Sequence, residues 1–257
     1  MRQTRKLKRR RKRRLRKGFK IFLIVLCVLI AIMMIVMFGF QLQTVKISTD
    51  LGQFTNQEVK SYMDAKEIDN TLILWLKNKT GHSTEIELLE EYHVTMKSPF
   101  EVKLSGYEKK LMGYIEKDGM NYYFDEYGTI LKVCEEKIQD IPVVEGLNYS
   151  ELKLYEKIKI DNKKVSQYLL DVAVGIEEYS FHVSKIELNS SDELTIYIKK
   201  LQVQLGKNIN LDRKLKTLKD MYSQVILQNG TLNMKHASED GSYTIRKNEE
   251  KKPKQNK

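Results

Sequence analysis

The residues that could perform chemistry are few in this sequence, and their spacing matches no catalytic or metal site. The four histidines have no Cys, Asp or Glu at the spacing of a zinc site; they are His82, His93, His182 and His236. The chain also lacks His-Glu-x-x-His, Gly-x-Ser-x-Gly and a glycine-rich loop that would hold phosphate. The sequence therefore predicts no catalytic residue, no metal ion and no cofactor.

Acidic pairs and aromatic residues are the remaining candidates for chemistry. The pairs Glu90-Glu91, Glu135-Glu136 and Glu177-Glu178 lie in segments with a solvent-facing pattern, so we interpret them as surface residues. Trp75 and the fourteen tyrosines could form a carbohydrate platform, although packing in the core is the commoner use of aromatic residues in a small domain. A chain without a nucleophile and its base favours a binding or scaffolding protein.

The first forty residues predict a membrane anchor. Residues 1–20 contain thirteen Lys or Arg and no acidic residue, whereas residues 21–40 carry no charge and contain fourteen Ile, Leu, Val or Phe. A helix of twenty residues is about 30 Å long, which is the thickness of the hydrocarbon core of a bilayer. We therefore expect a basic tail over residues 1–20 and a transmembrane helix over residues 21–40.

Two other interpretations of this apolar segment fit the sequence less well. A buried core helix would be shorter and would show a polar stripe, which residues 21–40 lack. A cleaved signal peptide would end in small residues, but residues 38–43 contain no Ala-x-Ala pattern. The excess of positive charge before the helix predicts a cytoplasmic N-terminus and exported C-terminal domains, the arrangement of a single-pass type II protein.

The net charge of +11 comes from the basic tail. Without the tail, 32 Lys and Arg face 34 Asp and Glu, so the exported part is a poor candidate for nucleic-acid binding. We expect the tail to bind anionic lipid at the inner leaflet, and nucleic-acid binding by the tail is the alternative. Cys27 in the span cannot form a disulfide with Cys134 outside it, so we expect Cys134 to be a buried apolar residue. Residues 247–257 are polar and predict a disordered tail.

The exported part predicts two domains of the α+β class. The first, over residues 44–108, has the order strand, helix, helix, strand, strand. Its first helix opens with a capping box formed by Thr55 and Glu58, its second carries Trp75, and a break at Pro99 joins the last two strands.

The second domain, over residues 109–246, predicts a mixed, mostly β structure with two helices. Asp118-Gly119 predicts a hairpin, and Asp125 and Gly128 predict a second turn. We expect Asp161 to cap a helix that ends near Gly175. Further strands are expected over residues 183–188, 194–198 and 201–205, a helix over 211–227, and two last strands over 231–235 and 242–246 separated by a turn with Asp240-Gly241.

Four segments in this order resemble a known family. They are residues 98–104 around Pro99, residues 122–131 with Asp125 and Gly128, residues 141–147 with the pattern Ile-Pro-x-x-x-Gly, and residues 203–206 followed by Lys214-Leu215. Behind a basic tail and one span, they resemble the bacterial cell-division proteins FtsQ and DivIB. The resemblance implies a POTRA domain over residues 44–108 and a β domain over residues 109–246.

The resemblance also implies a function. It is that of a non-catalytic scaffold at the division septum, which binds FtsL-like and FtsB/DivIC-like single-span proteins outside the membrane and links them to the septal peptidoglycan synthase complex. The alternatives are an envelope enzyme on a signal anchor and a membrane-tethered nucleic-acid binder that acts through the basic tail.

The last strands are the expected site of partner binding. A strand at the edge of a sheet has unpaired amides and carbonyls to which a partner can add its own strand. The residues expected there are Tyr243 and Ile245 on the edge and Leu232 and Met234 on the neighbouring strand. The other interpretation is that these four residues merely close the β domain.

Overall fold

The computed structural model describes residues 17–236, 243 and 245–247. The chain divides into two compact units, one ending at Glu108 and the other beginning at Lys109. Both units combine helices with a sheet, which confirms the predicted α+β class. Predictions for the basic tail before residue 17, for the turn at Asp240-Gly241 and for the tail after residue 247 lie outside the described residues.

The first helix, α1, spans Lys17–Gly39 and contains the apolar segment. Within Gly18–Gly39, the most apolar window of 18 residues has a mean hydropathy of 3.5, and none of that window is buried by the protein. Its described part extends one turn before the predicted residues 21–40. Its length and composition fit a single-pass membrane protein.

The rest of the first unit has the predicted order of elements: β1(Thr44–Thr49), α2(Asn56–Ala65), α3(Thr71–Lys79), β2(Leu89–Ser98) and β3(Glu101–Glu108). β3 is the central strand, parallel to β1 and antiparallel to β2. The capping box of α2 is present, since the Thr55 hydroxyl accepts from the Glu58 amide at 3.2 Å and the Glu58 carboxylate accepts from the Thr55 amide at 2.7 Å. The helix buries Val59, Tyr62 and Met63, which lie on one side of it.

The second unit consists of nine strands and two helices in its described part. In chain order they are β4(Gly113–Lys117), β5(Met120–Phe124), β6(Ile130–Cys134), β7(Val143–Glu145), α4(Lys163–Glu178), β8(Lys185–Leu188), β9(Leu194–Ile198), β10(Leu201–Gly206), α5(Leu211–Val225), β11(Gly230–Asn233) and β12(Ile245–Lys247). The strands form one mixed sheet in the order β12-β11-β10-β9-β8-β7-β4-β5-β6. Buried apolar residues of both helices pack with those of the sheet in one hydrophobic core.

Strand β7 was missed by the sequence analysis, although it lies near the middle of the sheet. It has only three residues, and Pro142 before it cannot donate to a ladder, so the segment gave no strand pattern. β7 is parallel to β4 on one side and to β8 on the other. It therefore joins the strands β4 to β6 to the rest of the sheet, and it explains the Ile-Pro-x-x-x-Gly segment in physical terms.

Two predictions for α4 were wrong. The N-cap is Asn162 rather than Asp161, and its side chain accepts a hydrogen bond from the Lys164 amide at 3.1 Å. Gly175 lies inside α4, which continues to Glu178. The position requires glycine, because a side chain there would meet α5. A Cβ on Gly175 would lie 2.3 Å from Cδ1 of Leu215, so this glycine allows the two helices to pack closely.

Cys134 also differs from the expectation that it is a buried apolar residue. Cys134 is half-buried rather than buried, because it lies at the end of β6, where its thiol donates to the Glu136 carbonyl at 3.2 Å. The link between β9 and β10 forms a tight antiparallel hairpin in which Ile198 faces Leu201, and Lys199 takes a left-handed conformation with φ of 53°.

The two glycines Gly146 and Gly119 provide a matched test of this fold. Both have a left-handed backbone, with φ of 80° and 78°, but a Cβ on Gly146 would lie 1.9 Å from the Leu188 carbonyl oxygen, whereas Gly119 faces open space. We expect Gly119→Ala to lower the free energy of unfolding by about 1 kcal/mol. Gly146→Ala should lower it by about 3 kcal/mol or more, because it also separates β7 from β8.

The measurement is urea denaturation of the full chain in detergent micelles, followed by circular dichroism. Equal losses for the two variants would contradict the place of β7 in the sheet.

Candidate protein-binding site

The sheet of the second unit ends at β12. This strand pairs antiparallel with β11, and Ile245 faces Leu232. β11 is in turn parallel to β10, with Val203 facing Leu232. Because the strand order ends at β12 among the described residues, its outer main-chain groups face no further strand. Such an edge can accept a strand from another chain.

The four predicted contact residues occupy two kinds of position. Leu232 and Met234 are fully buried, so their side chains belong to the core and fit the interpretation that they close the domain. Tyr243 and Ile245 are half-buried and pack against the same core. Partner contact by Tyr243 and Ile245 stays a prediction. The structure brings Leu232 and Ile245 together as cross-strand neighbours.

Lys214 on α5 holds the strands next to this edge, and the sequence analysis did not identify its role. Its side chain is buried, and its ammonium group donates to the carbonyls of Leu205 at 2.6 Å, Lys235 at 3.2 Å and Lys207 at 3.4 Å. These carbonyls lie at the end of β10, after the end of β11 and in the loop that follows β10. Lys214 therefore fixes α5 to the ends of two parallel strands at once.

The burial of Lys214 has an electrostatic cost. Removal of the ammonium group from water lowers its pKa from the ordinary value of 10.5. The carbonyl dipoles partly replace the lost water, since each accepts a charge-assisted hydrogen bond. The signal that could have found this residue is a lysine at a core position of the helical stripe, between Leu211 and Leu215.

Gly206 allows the ends of β10 and β11 to approach each other. Its φ is +71°, and a Cβ there would lie 2.9 Å from the Cα of Lys235. The Tyr168 hydroxyl donates to the Gly206 carbonyl at 2.9 Å, and burial raises the pKa of Tyr168 well above its ordinary value. The pairs Leu205-Gly206 and Lys214-Leu215 therefore belong to one set of contacts, which we call the Lys214 clamp: the Lys214 ammonium group and the main-chain carbonyls that it binds.

The opposite end of the sheet is partly covered. In β6, the Ile130 amide donates to the Glu156 carbonyl at 3.0 Å, and the Ile130 carbonyl accepts from the Tyr155 amide at 2.7 Å. The predicted turn before β6 is present, because the Asp125 carboxylate accepts from the amides of Tyr127 at 3.0 Å and Thr129 at 2.8 Å. This edge is thus less available to a partner than β12.

A cavity of about 420 Å³ lies beside β4 and β7, and its chemistry is that of a polar surface. It is lined by Ile115, Glu116, Val143, Val144, Glu145, Gly146, Leu147 and Tyr149. Glu116 is paired with Lys137 at 2.9 Å, and Glu145 with Lys185 at 3.1 Å. In the part of the chain that the structure describes, no group of three or more His, Cys, Asp or Glu is placed to hold a metal ion.

These features define an α+β protein with one apolar N-terminal helix and a second unit whose sheet ends, among the described residues, at β12. Residues 112–238 match the family described as FtsQ/DivIB, C-terminal related, so the predicted membership in the FtsQ/DivIB family is confirmed by a match within the second unit. This is a family of cell-division proteins, and it implies protein partners in the division complex. The match ends before β12. No curated protein matches the chain.

The clamp makes a testable prediction about pH. Lys214→Met should lower the free energy of unfolding by about 1–3 kcal/mol at neutral pH, because it removes the ammonium donor from the buried Leu205 carbonyl and from the carbonyls of Lys207 and Lys235. Folded Lys214 binds its proton less tightly than unfolded Lys214, so stability of the wild type rises as the pH rises from the lowered pKa of the folded state to 10.5. The variant lacks this gain, and its deficit should widen over that window.

Lys216→Met is the matched control, because Lys216 is exposed on the same helix. Urea unfolding of both variants and the wild type, repeated at several pH values, gives the comparison. A deficit that stays constant with pH, or equals that of Lys216→Met, would show that Lys214 is not the clamp.

Proposed function

We propose that this protein is a non-catalytic scaffold of the bacterial divisome. The observation that carries the proposal is the edge strand β12, placed at the end of a sheet whose preceding strands belong to the FtsQ/DivIB family match. An exposed edge supplies main-chain donors and acceptors for another chain, and it requires no catalytic side chain. The binding partners are FtsL-like and FtsB/DivIC-like single-span proteins, which this protein links to the septal peptidoglycan synthase complex.

Binding at β12 occurs by strand addition. A partner segment pairs with the outer side of Ile245–Lys247 and extends the sheet by one strand. Exposed Arg246 and Lys247 favour an acidic partner segment through charge. Tyr243 and Ile245 pack against the core, so they hold the edge strand in place and offer their exposed parts to the partner.

The membrane arrangement follows from α1 and the charge before it. The N-terminus lies in the cytoplasm, the two units lie outside the membrane, and the protein concentrates at the division septum. The basic tail over residues 1–20 binds anionic lipid at the inner leaflet. The first unit, residues 44–108, acts as a POTRA domain, and residues 109–246 act as the β domain.

A proline scan of the edge strand tests strand addition. Successive amides of a strand point to opposite sides, so of Arg246 and Lys247 one donates toward β11 and the other points outward. Proline at the outward position removes a donor that only the partner uses. We expect that variant to fold normally and to lose about ten-fold or more in partner capture, since it loses a hydrogen bond and clashes with the added strand.

The measurement is co-purification of FtsB/DivIC-type and FtsL-type proteins with the full-length chain from membranes. Arg246→Ala and Lys247→Ala are the controls, because they remove the side chains and keep the amides. Capture that survives both proline variants, or that the alanine variants abolish equally, would refute strand addition at β12.

A further inference from the structure

We propose that the first unit binds the bilayer surface where α1 leaves the membrane, through an apolar patch formed by Ile73, Leu76 and Phe100. Ile73 and Leu76 lie on α3, and Phe100 lies in the turn between β2 and β3. The occupant is the interfacial region of a phospholipid bilayer. This patch is separate from the β12 edge, and the proposal does not depend on strand addition there.

Hydrogen bonds fix α3 directly to the end of α1. The Asn70 side-chain amide donates to the Val36 carbonyl at 2.7 Å, and the Thr71 amide donates to the Phe40 carbonyl at 2.9 Å. Asn70 is also the N-cap of α3, since its side-chain oxygen accepts from the Ile73 amide at 3.0 Å. The first turn of α3 therefore lies at the level where the apolar helix ends.

The turn that carries Phe100 meets the same point. The Phe100 carbonyl accepts from the amides of Gln43 at 2.9 Å and Thr44 at 3.0 Å, directly after the span. The Thr71 hydroxyl donates to the Pro99 carbonyl at 2.6 Å, so α3 and the turn are joined as well. Three segments of the unit thus converge within a few residues of the membrane exit.

The apolar side chains at this point are exposed in the protein. Ile73 is 46% exposed, Leu76 51% and Phe100 42%, whereas Thr71 and Leu74 on the other side of α3 are buried. Ile73 and Leu76 are three residues apart and lie on one helix face. Exposed apolar residues beside a membrane-spanning helix can enter the interface at little cost, because lipid covers them.

The polar neighbours of this patch suit a bilayer surface. Trp75 is half-buried, and the Lys79 ammonium group lies 4.9 Å from the centre of its ring. Tryptophan is favoured at the level of lipid head groups, and lysines there pair with anionic lipid while their stems cover apolar surface. Lys77 and Lys97 are also exposed near the patch. The combination of apolar side chains, tryptophan and lysines matches the interfacial region.

Trp75 is the one tryptophan of the chain, so it reports on the patch without labelling. The full-length protein is placed in nanodiscs of phosphatidylglycerol and phosphatidylethanolamine, with and without a lipid that carries a shallow spin label. We expect spin-labelled lipid to quench the fluorescence of Trp75. The double variant Ile73→Glu with Leu76→Glu should lose about half or more of that quenching, since charged carboxylates are unfavourable in the interfacial region of the bilayer.

Tyr107→Glu is the matched control. Tyr107 is 57% exposed on β3, and at about 3.3 Å per residue it lies roughly 20 Å along the strand from Phe100. Lipid quenching of Trp75 in the Tyr107→Glu variant should equal that in the wild type. A second double variant, Ile73→Ser with Leu76→Ser, guards against a folding defect, and circular dichroism must match the wild type for every variant.

Each alternative result overturns the proposal. Absence of quenching in the wild type would place α3 away from the lipid. Quenching that the glutamate and serine variants leave unchanged would mean that the anchor holds Trp75 near the bilayer without help from the patch. Protection of Trp75 from iodide that appears only at two or more copies per disc, without lipid quenching, would assign the patch to a second copy of the chain.

Discussion

The buried ammonium group of Lys214 is the constraint on which the β12 end of the sheet depends. One side chain from α5 donates to carbonyls at the end of β10, in the next loop and after β11. Parallel neighbours such as β10 and β11 need a long crossover connection between them, which here contains α5. Lys214 lies on α5 within this crossover, and its hydrogen bonds hold the helix to the ends of both strands. Strand β12 pairs with β11, so it is supported by a fixed neighbour.

Two glycines make the close main-chain contacts that the sheet requires. Gly206 allows β10 to end against the Cα of Lys235, and Gly146 allows β7 to end against the Leu188 carbonyl. Both have positive φ, and at both a Cβ would lie within 3 Å of main-chain atoms. Among the described residues, these contacts order a sheet of nine strands that is covered near Ile130 at β6 and ends at β12 without a further strand. Such an asymmetry limits unwanted association, because two open edges would both be available to strands of other chains.

Local patterns predicted the elements whose signals lie within a few residues. The Thr55 to Glu58 capping box, the Asp118-Gly119 hairpin and the Asp125 turn all formed as predicted, since each is stabilised by its own backbone and neighbouring side chains. The apolar N-terminal helix was also predicted, because a long uncharged apolar run favours a helix that is long enough to span a membrane. The resemblance to FtsQ and DivIB added the family, which the match over residues 112–238 then confirmed.

Features that depend on distant segments could not be predicted in the same way. β7 is a strand only because β4 and β8 flank it, and Gly175 is explained only by Leu215 of another helix. The cap of α4 moved by one residue because Asp161 and Asn162 are both good caps, and the tertiary structure selects between them. The burial of Leu232 in β11 and of Met234 just after it likewise reflects packing in the core shared with both helices, which the local sequence does not reveal.

Amide hydrogen exchange tests most directly whether β12 is the surface that partners use. It would be measured on the full-length chain in nanodiscs, free and in complex with its co-purified FtsB/DivIC-type partner. The account predicts slower exchange at Ile245–Lys247 in the complex and no change along β6. Slower exchange at β6 or only in the first unit, with Ile245–Lys247 unchanged, would contradict it.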